Sequence, residues 1–279
     1  MKKIGILYNS ASIPTAPNLA NKLNVTPINE SELYKIFTKK IEVLIRYGST
    51  CTIEKNLIEI NPKSAIEKCI DRVKFYEEAK KHNIPTPYFT NENEIQFPVY
   101  VYIKNGYQGN SLVLCFSKKD IERLKEFGYN PIIYSKVIET AHEYRIHIIK
   151  VNEKLDYYAF LVYEKIPTEI NAFTFVVRNK NLNKYKFATI GSHEFGFYSK
   201  ELYNAIELCY KTLKALNLDF AGIDILIDLK GNPYIIDCNS APGHGYNTRK
   251  FYAKYLKELI KVKLQEKIRN YKEILKNLR

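Results

Sequence analysis

Two aspartates and an asparagine, Asp224, Asp237 and Asn239, are the side chains of this 279-residue chain whose spacing points most directly to chemistry. They lie in DFAGIDILIDLKGNPYIIDCNSAPG (219–243), where two extended runs flank Leu229-Lys230-Gly231-Asn232. A two- or four-residue hairpin loop centred between 230 and 231 pairs Ile223 with Cys238, Ile225 with Ile236 and Ile227 with Tyr234, so one face is wholly apolar. The other face then carries Asp224 opposite Asp237, with Asn239 two residues on. Carboxylates facing each other across strands at roughly 5 Å repel unless a positive charge lies between them. A divalent cation meets that need. Oxygen-only donors suit Mg²⁺, which takes one or two carboxylates and fills its other positions with water and phosphate oxygens. A simply solvated acidic face is the alternative, and a slip of one residue in the loop would undo the pairing. Ser240-Ala241-Pro242-Gly243 then runs into a tight turn, which brings backbone donors to the same place.

Other elements must position this hairpin. KIGILY (3–8) and EVLIR (42–46) read as short strands separated by a helix-like run at 30–40, a small α/β unit of about sixty residues. Asn61-Pro62-Lys63-Ser64 reads as a helix start, and Ile66, Ile70, Val73 and Ala79 carry one helical stripe to Lys81, broken by Ile84-Pro85-Thr86-Pro87. PVYVYIK, NGYQGN and SLVLCF (98–116) read as strand, loop and strand, with Val99, Val101 and Ile103 to the core and Tyr100, Tyr102 and Lys104 on the other face. A helix near 118–127, a strand at 131–138, paired strands near 143–151 and 155–164, an extended stretch at 173–189 and an amphipathic helix at 199–216 follow.

The hairpin resembles the C-terminal signature of the ATP-grasp superfamily, in which Gly-x-Asp and Glu-x-Asn on successive strands hold the magnesium of Mg-ATP before a Pro-Gly turn. It is most similar to the RimK-like carboxylate-amine ligases, in particular their compact phage-type versions. The resemblance implies an α+β ATP-grasp fold: two α+β subdomains sandwiching the nucleotide, a small N-terminal α/β pre-ATP-grasp domain and a long C-terminal helix. The corresponding boundaries are 1–60, 61–135 for the subdomain with the glycine-rich loop, 136–248 for the subdomain with the metal hairpin, and 249–279 for the helix. It also implies ATP and Mg²⁺, or Mn²⁺ in its place, as cofactors, with Asp224, Asp237 and Asn239 as metal ligands. Asp237 stands where the family usually has Glu, one methylene longer.

Further matches follow in family order. PVYVYIKNGYQGNSLVL resembles the strand and glycine-rich loop that cover the phosphates, which implicates Lys104, Gly106 and Gly109; by itself the segment reads as a plain hairpin turn, and its position upstream of the acidic hairpin is what raises it. IIYSKVIETAHEYRIHI resembles the hinge strand, placing the adenine against the backbone of Ser135, Lys136 and Val137 and the ribose on Glu143. Without the resemblance, Glu143 and Arg145 read as a charged pair facing solvent. Lys165 and Arg178 match catalytic positions facing the γ-phosphate and the acyl phosphate, a role that suits a guanidinium fork. Arg72 stands where a lysine is usual, and its role is left open. The implied reaction is ATP-dependent ligation of a carboxylate to an amine through an acyl phosphate. The alternatives are an ATP-grasp kinase acting on a hydroxyl, and a non-catalytic nucleotide- or partner-binding protein that uses its basic tail.

Composition narrows the field. An apolar share of 46% with 26% charged residues excludes disordered, collagen-like and disulfide-scaffold classes. The five cysteines form no CxxC pair and read as core thiols. No apolar run suits a membrane span or a signal-peptide core, so a cytoplasmic protein is expected. Of the +13 formal charge, +7 lies in residues 250–279, a segment with an apolar seam of Leu264, Ile268, Tyr271, Leu275 and Leu278. A helix packed on its own domain, self-association and binding to an acidic partner all fit that pattern, whereas no nucleic-acid motif is present. His142, His147, His193 and His244 are scattered and read as structural, with His244 also a candidate to meet an incoming amine. Small-molecule or peptide acids and amines are the expected substrates.

Overall fold

The computed structural model describes residues 3–89, 92–103, 112–151, 157–167, 185–191, 199–243 and 245–277. The chain opens with β1 (Ile4–Tyr8), α1 (Thr15–Leu23), β2 (Thr26–Asn29), α2 (Tyr34–Thr38), β3 (Val43–Tyr47) and β4 (Ile58–Ile60). Their sheet is parallel, in the order β2-β1-β3-β4, and its central strands β1 and β3 are mostly apolar and buried because both faces are covered. The short strands β2 and β4 have no clear period of their own and escape a reading of the sequence.

α3 (Lys63–Ile70) and α4 (Arg72–Lys81) come next. The single helix expected over this stretch is in fact two. Asp71 leaves the helical region (φ −91°, ψ 110°) and caps α4 by accepting from Val73 N and Lys74 N. The second unit contains β5 (Tyr88–Phe89), β6 (Val99–Ile103), β7 (Leu112–Cys115), α5 (Lys118–Glu126) and β8 (Pro131–Lys136), in the order β5-β8-β6-β7. As expected from alternation, Val99, Val101 and Ile103 share a core with Cys115, Ile121 and Tyr134, and Tyr102 packs elsewhere.

The third unit contains β9 (Thr140–Lys150), β10 (Tyr157–Pro167), β11 (Tyr185–Gly191), α6 (Lys200–Leu216), β12 (Phe220–Asp228) and β13 (Pro233–Asn239), before the final α7 (Tyr246–Asn277). Its sheet is ordered β11-β10-β9-β12-β13. Ile146, Ile148, Ile223 and Ile225 face a core shared with α6, α3 and α4. The helices that follow the N-terminal sheet therefore pack on the C-terminal one. Asp224 pairs with Asp237 and Ile223 with Cys238 as the hairpin arithmetic requires. Nearer the turn the expected register fails: Ile225 pairs with Ile235 and Ile227 with Pro233. Gly231 adopts φ +83° in a loop of odd length closed by Asp228 N donating to Asn232 O (3.0 Å), and a bulge next to Asp224 absorbs the extra residue, so Ile236 turns to the cluster of Ile138 and Leu226.

α7 is part of the core along its first half. Tyr252, Leu256 and Leu259 are buried between Leu19, Leu23 and Ile58 of the first unit and Ile149, Phe160 and Phe220 of the third. Farther along, Glu266 still meets Lys150 of β9 (3.2 Å), while Ile268 is 52% exposed. Asn61 ties the same two units. At φ +56° its Oδ1 accepts from Asp219 N (2.7 Å) and Phe220 N (3.1 Å), while its Nδ2 donates to Phe220 O (2.9 Å). Asn61→Ala would leave these buried groups unsatisfied, and a loss of about 3 kcal/mol is expected in urea denaturation. Among the described residues, no helix is long and apolar enough to cross a membrane.

Candidate active site

Four adjacent strands carry ionisable side chains onto the sheet face opposite the isoleucine core. Register sets the placement: Asp224 on β12 lies between Arg145 on β9 and Asp237 on β13, and Lys165 on β10 lies beyond Glu143 of β9. Arg145 grips Asp224 with its fork, Nε to Oδ1 at 2.6 Å and Nη2 to Oδ2 at 2.7 Å. Lys165 Nζ donates to Asp224 Oδ2 at 2.9 Å and to Glu143 Oε1. Asp224 and Lys165 are buried at 2% and 5% exposure. In a medium of low effective dielectric these charges hold one another strongly.

Asp237 is more open. Its side chain is 31% exposed, and Arg72 Nη2 approaches its Oδ1 at 3.8 Å. Arg72 opens α4, so the Asp71 break aims it: the guanidinium lies 4.4 Å from the Tyr102 ring centroid, and Nη1 donates to Tyr88 Oη (3.0 Å) and Ile236 O (3.3 Å). Burial pushes Tyr88 well above its usual value and Tyr100 up to about 12, so both phenols stay neutral at ordinary pH.

The turn after β13 is clamped. A Cβ on Gly222 would stand 2.8 Å from Pro242 Cβ, which explains the glycine of the Gly-x-Asp signature. Gly48 (φ +73°) sits as close to Ala241, where a Cβ would meet its Cβ at 2.9 Å. Tyr47 Oη donates to Pro242 O, and Asn239 Oδ1 accepts from Ala241 N at 2.8 Å. The ends of β1 and β3 are thereby held against the Pro-Gly turn.

The structure thus brings together Asp224, Asp237, Asn239, Glu143 and Lys165, with Arg72 at the edge. Glu143, expected at a ribose, has its carboxylate on Lys165. Ser135 lies inside β8, its backbone paired with Tyr88 and Tyr100, and Lys136 N donates to Pro87 O (2.8 Å). Val137 is the first residue beyond that ladder. Lys136 and Ile138 border a cleft of about 310 Å³ also lined by Pro87, Phe89 and Tyr234. Lys104, Gly106, Gly109, Arg178, His193 and His244 lie outside the described residues. His147 is buried against Tyr252 Oη through Nδ1 (2.8 Å), a structural role, and His142 pairs with Glu164 (2.7 Å). Cys69, Cys115, Cys209 and Cys238 are buried thiols, and Cys51 is half-buried. Arg145 is the residue that sequence reasoning misplaced: its alternation with Glu143 was visible, but not the strand it would face.

No protein-family model and no curated protein matches the chain. Solved structures do. D-alanine–D-alanine ligase from Bacillus anthracis, complexed with ATP, aligns at TM-score 0.63 and 15% identity over 97% of this chain and 100% of that one. VanG D-Ala:D-Ser ligase from Enterococcus faecalis aligns at 0.66 and 13% over 94% and 99%. L-amino acid ligase from Bacillus licheniformis aligns at 0.61 and 13% over 91% of this chain and 70% of that one. The chain has the ATP-grasp fold.

The donor chemistry fits a magnesium ion that arrives with its nucleotide. Two carboxylates and one amide oxygen are hard donors, yet among the described residues no group of three His, Cys, Asp or Glu could cage a metal alone. Glu143, Asp224 and Asp237 carry three negative charges against the three positive charges of Arg72, Arg145 and Lys165. A bare dication would unbalance that set, whereas one already neutralised by phosphates would not.

Proposed function

We propose that this protein is an ATP-dependent carboxylate-amine ligase of the RimK-like type, acting through an acyl phosphate. The observation that carries the reading is the Asp224–Asp237 pair beside Asn239, on one sheet face with Lys165 and Arg145 and with Arg72 of α4 at its edge, within a fold shared with three ligases. Asp224, Asp237 and Asn239 would hold Mg²⁺, which neutralises phosphate charge and orients the γ-phosphoryl group. Lys165, Arg72 and Arg178 would meet the phosphate oxygens on which charge develops, with Lys104, Gly106 and Gly109 covering the phosphates. Glu143 would accept from the ribose hydroxyls, and Lys136 and Val137 would read the adenine edge through their backbones.

A substrate carboxylate oxygen attacks the γ-phosphorus as the bond to the β-phosphate oxygen breaks and ADP leaves. The amine then attacks the acyl carbon, phosphate departs and the amine gives up a proton, leaving an amide. Neither step needs a side-chain nucleophile. Pooled carboxylic acids and amines with Mg-ATP are expected to release ADP only when both pools are present. ADP release with an acid pool absent would contradict the ligase reading, and a hydroxyl compound in its place would favour a kinase. The neutral ion network also predicts that Mg²⁺ titrated alone gives no saturable heat at millimolar concentrations, and that ATP restores it.

A further inference from the structure

We infer that the cleft between α1 and α7 is an anion subsite, so that the acid joined by this protein carries a second negative group besides the carboxylate that reacts. The inference rests on the ligase reading. The cleft has a volume of about 300 Å³ and is lined by Asn18, Asn21, Lys22, Arg249 and Lys250: three cations, two amides and no carboxylate. Many cations of this basic chain meet acids, as in Arg46–Glu59, Lys68–Glu78, Lys150–Glu266 and Lys263–Asp219. Arg249 differs. Its Nε is buried and has no hydrogen-bond partner, one of only two such side-chain atoms among the described residues. A guanidinium N–H taken from water without an acceptor is costly, and a ligand oxygen is the acceptor that would relieve it.

Position links the cleft to the reaction. The parallel sheet, ordered β2-β1-β3-β4, reverses its winding between β1 and β3, and α/β sheets take ligands at the carboxyl ends of the strands flanking such a point. Those ends are Tyr8-Asn9 and Tyr47-Gly48. Asn9 Nδ2 donates to Gly48 O (3.0 Å), and Tyr47 Oη donates to Pro242 O beside the metal donors. Arg249 sits in the first turn of α7, its N–H donating to Gly245 O at 3.1 Å, close enough for its charge to act on Tyr47. α1 descends from the same end of β1. An acid with its reacting carboxylate at the Pro-Gly turn would therefore reach the α1–α7 cleft with its distal group. The Arg249 fork suits a carboxylate or a phosphate there, and Lys22, Lys250 and the two amides supply further donors.

The test is calorimetric titration of the full chain, with and without Mg-ADP, by glutarate, 3-phosphonopropionate and butyrate. The two dianions are expected to bind at least tenfold tighter than butyrate. Preference for glutarate would identify the distal group as a carboxylate, and preference for the phosphonate as a phosphate. Arg249→Met is expected to erase the difference without changing butyrate binding, and Arg249→Lys to restore part of it; Lys22→Met should reduce it with an unchanged melting temperature. Equal binding of the three acids, no binding of any of them, or an Arg249→Met effect equal on all three would overturn the subsite. Titration with Mg-ATP on the same sample separates this from failure of the ligase reading, which would show as absent nucleotide binding.

Discussion

Asp224→Ala is expected to destabilise the fold by about 3–5 kcal/mol, because breaking a buried ion network from one side leaves its partners uncompensated. The substitution removes the carboxylate that accepts from Arg145 Nε and Nη2 and from Lys165 Nζ. Arg145 and Lys165 are 12% and 4% exposed at their side chains, too buried for water to replace the lost partner cheaply. Asp237→Ala should differ sharply. Its carboxylate is 31% exposed and meets Arg72 only at 3.8 Å, so less than about 1 kcal/mol should be lost. Urea midpoints of the two variants measure the contrast directly. Equal losses would mean that Asp224 is not the keystone of the network. The same contrast makes Asp237, rather than Asp224, the variant in which nucleotide binding can be probed on an intact fold.

Lys165→Met carries the second large effect. A preorganised cation aimed at developing phosphate charge contributes roughly 10²–10³ in turnover when removed alone. Lys165 is held between Glu143 and Asp224, so it is fixed before substrate arrives, yet near the donors expected to bind the metal. The variant is expected to release ADP about 10²–10³ times more slowly while binding Mg-ATP within roughly tenfold of the parent chain. Single-turnover ADP release and nucleotide titration distinguish the two quantities. A variant that loses binding and turnover in the same proportion would show that Lys165 acts on the ground state alone.

Much of this arrangement was legible in the residues themselves because strand alternation has a period of two. Asp224 opposite Asp237, and Val99, Val101 and Ile103 set apart from Tyr102, follow from alternation and turn chemistry. Register farther from the signature did not follow, since one residue absorbed at the bulge beside Asp224 reverses the side on which Ile235 and Ile236 fall. The Asp71 break was hidden because the apolar stripe continues across it in phase. Partnership across strands distant in sequence was also hidden: nothing local tells Arg145 that its neighbour will be Asp224, seventy-nine residues away. Burial earlier along α7 was hidden for a similar reason, since it is set by the two sheets the helix lies between, and these select Tyr252, Leu256 and Leu259 ahead of Leu264 of the tail seam.

The most direct test of the account is calorimetric titration of ATP into the intact chain, with Mg²⁺ and with EDTA, alongside Asp237→Ala. The account predicts saturable binding that requires Mg²⁺ and weakens at least tenfold in Asp237→Ala at unchanged stability. Binding of ATP that is indifferent to both Mg²⁺ and Asp237, or no binding under any condition, would contradict it.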